Sequence, residues 1–173
     1  IDNVIGSQAD DTIEGDLGNN TLDGNSGNDT ISFQNSGAKV VVNIGDSDIT
    51  ISNAPTGNGT YTANQATGTT IGTDKIVNFE NILSGSGDDT LIGSSGLNYI
   101  YGGLGNDFIY GGAGDDKLYG EEGNDTIVGG DGNDTIYGGE GIDTVSYFDA
   151  SNVTLSLRGS SYGTASATYG GTT

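Results

Sequence analysis

The stretch from residue 84 to residue 146 decides the fold: SGSGDDTLI (84–92), GSSGLNYIY (93–101), GGLGNDFIY (102–110), GGAGDDKLY (111–119), GEEGNDTIV (120–128), GGDGNDTIY (129–137) and GGEGIDTVS (138–146). Each nine-residue unit has Gly at its fourth position, Asp or Asn at its sixth and an aliphatic residue at its eighth. Turn chemistry, an oxygen ligand and a core residue therefore arrive in fixed phase. Upstream, GSQADDTIE (6–14), GDLGNNTLD (15–23) and GNSGNDTIS (24–32) keep the same phase, with Ala9 in place of the fourth-position Gly of the first unit. The aliphatic column reads Ile13, Leu22 and Ile31, then Leu91, Ile100, Ile109, Leu118, Ile127, Ile136 and Val145.

The first six residues of a unit read as a Gly-rich turn and the last three as a short strand whose middle side chain points inward. Two units then make one coil of eighteen residues, and units n and n+2 stack about 4.8 Å apart on one sheet. The expected fold is all-β, a right-handed parallel β-roll (a β-helix or solenoid), with two rolls separated by a β-strand spacer. Stacking brings sixth-position groups together across each gap between turns: Asp89 with Asp107, Asp107 with Asp125, Asp116 with Asp134, Asp125 with Asp143, and Asp11 with Asp29. Asn98 pairs with Asp116 and supplies one negative charge fewer, so that gap is expected to bind most weakly in the second array. Asn20 finds Ala38 eighteen residues on, and is expected to lack a partner. Ala9 places the Asp11/Asp29 gap in question if the turn needs a positive φ there.

A nine-residue repeat of the form G-G-x-G-x-D-x-U-x is a calcium-binding β-helix signature, and the chain resembles the RTX (hemolysin-type) calcium-binding family. All-oxygen ligands in irregular geometry suit calcium better than the strict octahedron of magnesium, and the chain has no His or Cys for zinc or copper. The resemblance implies that the second and fourth carbonyls and the Asp of one turn meet the first and third carbonyls and the Asp of the turn two units later. On this chain that assigns Gly103, Gly105 and Asp107 with Gly120, Glu122 and Asp125, and on the opposite edge Gly112, Gly114 and Asp116 with Gly129, Asp131 and Asp134. The same rule assigns Gly85, Gly87 and Asp89 with Gly102, Leu104 and Asp107; Ser94, Gly96 and Asn98 with Gly111, Ala113 and Asp116; Glu121, Gly123 and Asp125 with Gly138, Glu140 and Asp143; and Ser7, Ala9 and Asp11 with Gly24, Ser26 and Asp29. The expected load is about six calcium ions in the rolls. Further ions are expected at spacer junctions, for instance near Asp149.

Composition sets the bounds. The 173 residues include 33 Gly and only 32% hydrophobic residues, too few large apolar groups for an ordinary core of this length. A formal charge of -20 opposes compaction unless cations enter. The four basic residues, Lys39, Lys75, Lys117 and Arg158, offer no phosphate-tracking stripe, which argues against nucleic-acid binding. No apolar run reaches the length of a membrane span.

Four segments are expected: a first, N-terminally truncated roll (1–36), a β-rich spacer or cap (37–79), a second roll of seven nonapeptides (80–151), and the truncated start of another spacer (152–173). Phe79-Glu80-Asn81-Ile82-Leu83 matches Ile1-Asp2-Asn3-Val4-Ile5, so each roll begins one half-coil before its glycine signature. In the spacer, Val40, Val42 and Ile44 alternate with other residues, as do Ile49 and Ile51, and read as strands that cap the roll ends; residues 53–59, with Pro55, read as a loop. Val153, Leu155 and Leu157 restart the pattern, as in a fragment of a longer tandem protein.

These readings point to a calcium-binding, non-catalytic module: the carboxylates are periodic, and no pair breaks the repeat to form a singular pocket. The resemblance implies a secreted bacterial protein, extracellular or at the cell surface, handled by type I secretion machinery and folding as it meets calcium outside the cell. The alternative is an adhesin or carbohydrate-binding module that meets a polysaccharide or surface-layer partner. Tyr101, Tyr119 and Tyr137, ninth in alternate units, would line one outer face for it.

Overall fold

The computed structural model describes residues 3–51, 59–146 and 166–168. Every helix or strand among them is a β-strand, and no helix is long and apolar enough to cross a membrane. The expected loop around Pro55, the second spacer at Val153 to Leu157, and Asp149 lie outside the described residues.

Two sheets face each other across a thin core. In the second sheet the strand order is Thr135–Glu140, Lys117–Glu122, Tyr99–Leu104, Asn81–Leu83, Thr30–Ser32, Thr12–Glu14, all parallel. Its inward column runs Ile136, Leu118, Ile100, Ile82, Ile31, Ile13 in direct register. In the first sheet Leu91, Ile109, Ile127 and Val145 form the matching column. All ten aliphatic residues of the repeat column are buried in one continuous cluster, as an eighteen-residue coil with inward eighth positions requires.

The strands of the second array are longer than the repeat suggests. Tyr99–Leu104, Phe108–Ala113, Lys117–Glu122, Thr126–Asp131 and Thr135–Glu140 each run six residues, into the first three positions of the next unit. Stacked turns of equal length keep their backbones in register, so ladder pairing continues through them, as at Gly103↔Glu121 and Leu104↔Glu122.

The spacer strands lie between the two rolls, each outer strand of the spacer paired with one roll end. Val40–Asn43, Gln65–Gly68 and Gly72–Val77 form an antiparallel meander inside the first sheet, between Thr21–Asp23 and Thr90–Ile92. Val40, Val42, Ala66 and Ile76 enter the same core as the repeat residues. The two rolls are thus separated by spacer strands in the first sheet and abut in the second, where Ile31 sits directly beside Ile82. In the first sheet the facing edges of the two rolls, Thr21–Asp23 and Thr90–Ile92, would otherwise leave rows of unpaired backbone groups, and the meander satisfies them. Ile49–Ile51 pairs with Gly59–Tyr61 in a separate two-stranded ribbon. Its Ile49 and Tyr61 pack on Ile92, Phe108 and Val128, outward-facing residues of the first sheet.

Candidate metal centre

The turn at residues 102–107 shows how the site is built. Gly103 and Gly105 take left-handed backbone angles, φ 99° and 127°, which turn the chain sharply and let successive coils approach. Asp107, next to the strand, is 2% exposed. Its Oδ1 accepts the backbone N–H of Asp89 in the coil below (2.8 Å), whereas its Oδ2 is buried with no hydrogen-bond partner. A methyl group added at Gly102 would touch this Oδ2 and lie 2.6 Å from the carbonyl oxygen of Gly120 in the coil above. A carboxylate oxygen and a main-chain oxygen therefore converge on a gap that glycine leaves open.

The arrangement repeats. Asp125 Oδ1 accepts Asp107 N–H (2.8 Å), Asp143 Oδ1 accepts Asp125 N–H (3.1 Å), and on the other edge Asp134 Oδ1 accepts Asp116 N–H (3.0 Å). Asp116 and Asp125 carry the same buried, unpartnered Oδ2. At Gly111 and Gly120 an added methyl would meet that oxygen together with the carbonyl of Gly129 or Gly138. Burying a carboxylate oxygen without a partner costs a few kcal/mol, and its recurrence at Asp107, Asp116 and Asp125 makes it a feature of the repeat rather than an isolated defect. The donors are all oxygen and anionic, as a hard cation requires. Among the described residues no group of three or more His, Cys, Asp or Glu side chains is placed to hold a metal ion, and the oxygens that meet at these gaps are one carboxylate and one main-chain carbonyl.

The other three expected gaps differ. Asp11, Asn98 and Asp89 do stack on Asp29, Asp116 and Asp107, donating N–H to the carboxylate above at 2.8 Å in each case. The second oxygens of Asp11 and Asp89 and the single side-chain oxygen of Asn98 are, however, already engaged. Asp11 Oδ2 accepts Ser7 N–H (2.6 Å) and Ser7 Oγ–H (3.0 Å), Asn98 Oδ1 accepts Ser94 N–H (2.7 Å), and Asp89 Oδ2 accepts the Ser84 hydroxyl. The turns beginning at Gly6, Gly15 and Gly93 also take another form, in which the second-position side chain caps the fourth-position N–H: Ala9 onto Ser7 Oγ (3.1 Å), Gly18 onto Asp16 Oδ1 (3.0 Å), Gly96 onto Ser94 Oγ (3.2 Å). Ala9 and Gly96 have no positive φ. Ala9 thus fits a turn that never needed glycine.

Carbonyls assigned by resemblance are placed as follows. Those of Leu104, Glu122, Asp131 and Glu140 each accept the fourth-position N–H of the turn below, from Gly87, Gly105, Gly114 and Gly123 at 2.8–2.9 Å. Those of Gly85 and Ser94 accept Leu104 and Ala113 N–H. Each keeps a second lone pair. Glu121 holds φ 78° at a second position otherwise filled by glycine in most regular turns.

Asn20 is not partnerless. Its N–H donates to Asp74 Oδ1 (2.8 Å), because Gly72–Val77 occupies the rung above it and sets Asp74 where a repeat Asp would stand. Asp74 is fully buried, and its Oδ2 is unpartnered. Gly72-Thr73-Asp74-Lys75-Ile76 carries the G-x-D-x-U signature, the one signal by which sequence reading could have found it. Glu80 likewise takes the sixth-position role above Asp29, accepting its N–H at 2.7 Å.

Burial dominates the electrostatics. It pushes Asp107 and Asp116 up to about 7 and Asp125 up to about 6, and it also raises Asp74, Asp89 and Asp134. Neighbouring carboxylates add to the rise at Asp107, Asp116 and Asp125.

No curated protein matches the chain. The profile of the RTX calcium-binding nonapeptide repeat matches residues 1–32, 83–118 and 110–145, more than half of the sequence and both arrays of turns. With oxygen cradles repeated along the coil edges, this match shows that the chain belongs to the RTX calcium-binding nonapeptide repeat family.

Proposed function

We propose that the chain is a non-catalytic module that folds on binding calcium outside the cell and so supports the type I secretion and the stability of a larger exported bacterial protein. The unpartnered Oδ2 atoms of Asp107, Asp116 and Asp125 carry this reading: charge and burial oppose the metal-free roll, and a calcium ion in each gap relieves both. One aliphatic side chain per nine residues is too little apolar surface to offset backbone ordering alone. Six ions fill the paired gaps, and the three whose oxygens are unengaged bind tightest.

The adhesin or carbohydrate reading is less well supported. Tyr101, Tyr119 and Tyr137 do share one outer face, but they stack on each other, with centroids 4.5 and 4.8 Å apart and planes within 4° and 7°. Their inner faces are covered by one another, so the ladder presents mainly edges, whereas sugar stacking needs open ring faces. The ladder reads as cross-strand stabilisation.

In chelator the chain should show little sheet signal by circular dichroism and gain it with calcium at or below the millimolar range, while magnesium at equal concentration does little. A carboxyl raised above its unfolded value binds more protons folded than unfolded, so ionisation penalises the metal-free roll increasingly as pH rises toward about 7. Acidification should therefore increase residual sheet in chelator and shift the calcium midpoint upward. Full sheet signal at neutral pH after exhaustive chelation would refute the folding switch.

A further inference from the structure

Asp29 presents the anomaly from which this inference starts. The residue is 1% exposed and its Oδ2 has no partner, yet the gap it shares with Asp11 lies on its Oδ1 side, where that oxygen accepts Asp11 N–H. In the regular turns the unpartnered Oδ2 faces the coil above. Above Asp29 the next coil is not eighteen residues on; it is the chain returning from the spacer at residues 78–83.

We propose that Asp29, Glu80 and the main-chain carbonyl of Asn78 hold a further divalent cation, calcium by its chemistry, at the seam where the two arrays abut. The parallel with the regular site covers the lower turn, the first-position carbonyl above it and the carboxylate that accepts the lower Asp N–H, although the upper turn from Asn78 to Glu80 is three residues shorter than that from Gly120 to Asp125. Asn25 and Gly27 have positive φ, 74° and 148°, as Gly103 and Gly105 do. An added methyl at Gly24 would touch the Asn78 carbonyl oxygen and lie 2.8 Å from Asp29 Oδ2, as one at Gly102 meets the Gly120 carbonyl and Asp107 Oδ2. Asp29 N–H donates to Glu80 Oε2 (2.7 Å), as Asp107 N–H donates to Asp125 Oδ1 (2.8 Å).

The upper half of the site is held in place by its own contacts. Asn78 Nδ2 donates to Asp23 Oδ1 (2.7 Å), Gly24 N–H to Val77 O (3.0 Å), and Asn98 Nδ2 to Glu80 O (2.7 Å). Asn78 and Glu80 fall outside the segments that match the repeat profile. Glu80 is 51 residues from Asp29, so this ion closes the whole spacer excursion. A clip across a loop of that length constrains the chain strongly, and it makes the two arrays one cooperative unit when loaded.

The inference rests on reading the turn gaps as calcium sites, and the two are separable by counting ions. Native mass spectrometry of the full chain in saturating calcium, with circular dichroism to establish folding, compares wild type with Glu80→Lys, whose ammonium takes the place of the cation. Glu80→Lys should fold and carry one calcium fewer. A count equal to wild type overturns the seam site, and a wild type that carries no calcium overturns the turn-gap reading instead. Should Glu80→Lys not fold, Glu80→Gln keeps an acceptor for Asp29 N–H and should weaken one ion by about tenfold, the loss of one ligand charge; unchanged affinity for every ion in that variant overturns the proposal.

Discussion

Asp125→Ala should raise the calcium midpoint of folding by about tenfold or more and make the transition less cooperative. Asp125 serves two gaps: its Oδ1 accepts Asp107 N–H, and its unpartnered Oδ2 faces the Gly138 carbonyl above. Removing the carboxylate strips a charged ligand from both gaps and leaves the buried Asp107 N–H without its acceptor. Asp143 takes part in only one of the six paired gaps, and Asp143→Ala should shift the midpoint less. Each coil of a solenoid is stabilised by its neighbours, so a break in the middle of a ladder interrupts propagation whereas a break near its end shortens it. Circular dichroism against free calcium compares the two variants directly. Equal midpoints and equal steepness would mean that the ions act independently.

Gly123→Ala should destabilise the calcium-loaded roll by about 3 kcal/mol or more, through left-handed strain plus overpacking. Gly123 has φ 139°, and an added methyl would collide with the carbonyl oxygen of Gly105 in the coil below. That atom belongs to a stacked backbone held by Gly105 N–H donating to Glu122 O (2.9 Å), so it cannot move aside. Gly96→Ala occupies the same repeat position and should be nearly neutral, within about 0.5 kcal/mol. Gly96 has no positive φ, and the nearest heavy atom to an added methyl is Ser94 Oγ at 3.9 Å. Thermal unfolding of both variants in saturating calcium tests the contrast; similar losses at the two positions would mean that all fourth-position turns share one geometry.

The difference between Gly96 and Gly123 also shows what sequence reading resolves. A strict period of nine fixes which side chains turn inward and which sixth-position residues meet, so the buried column from Ile13 to Val145 and the Asp107, Asp125 and Asp143 ladder follow from spacing alone. The same period makes every turn look alike. Ser7, Asp16 and Ser94 at second positions signal the capped form, since a short polar side chain there competes for the fourth-position N–H that glycine-glycine turns leave to the coil above. Counting by eighteen fails across the spacer, because the meander replaces one repeat rung with three strands of its own. Asn20 therefore meets Asp74, and Asp29 meets Glu80, at separations of 54 and 51 residues. Glu80-Asn81-Ile82 repeats Asp2-Asn3-Val4, so the acidic role of Glu80 was present in the half-coil match. Its partner was not, because only the tertiary pairing of Thr30–Ser32 with Asn81–Leu83 brings Asp29 beneath it.

The most direct measurement is anomalous scattering from crystals of the calcium-loaded chain. Calcium peaks are expected along the turn edges, strongest in the gaps where Asp107, Asp116 and Asp125 aim an unpartnered Oδ2 at the carbonyls of Gly120, Gly129 and Gly138. Strong peaks elsewhere on the acidic surface, with these three gaps empty, would contradict the turn-gap reading.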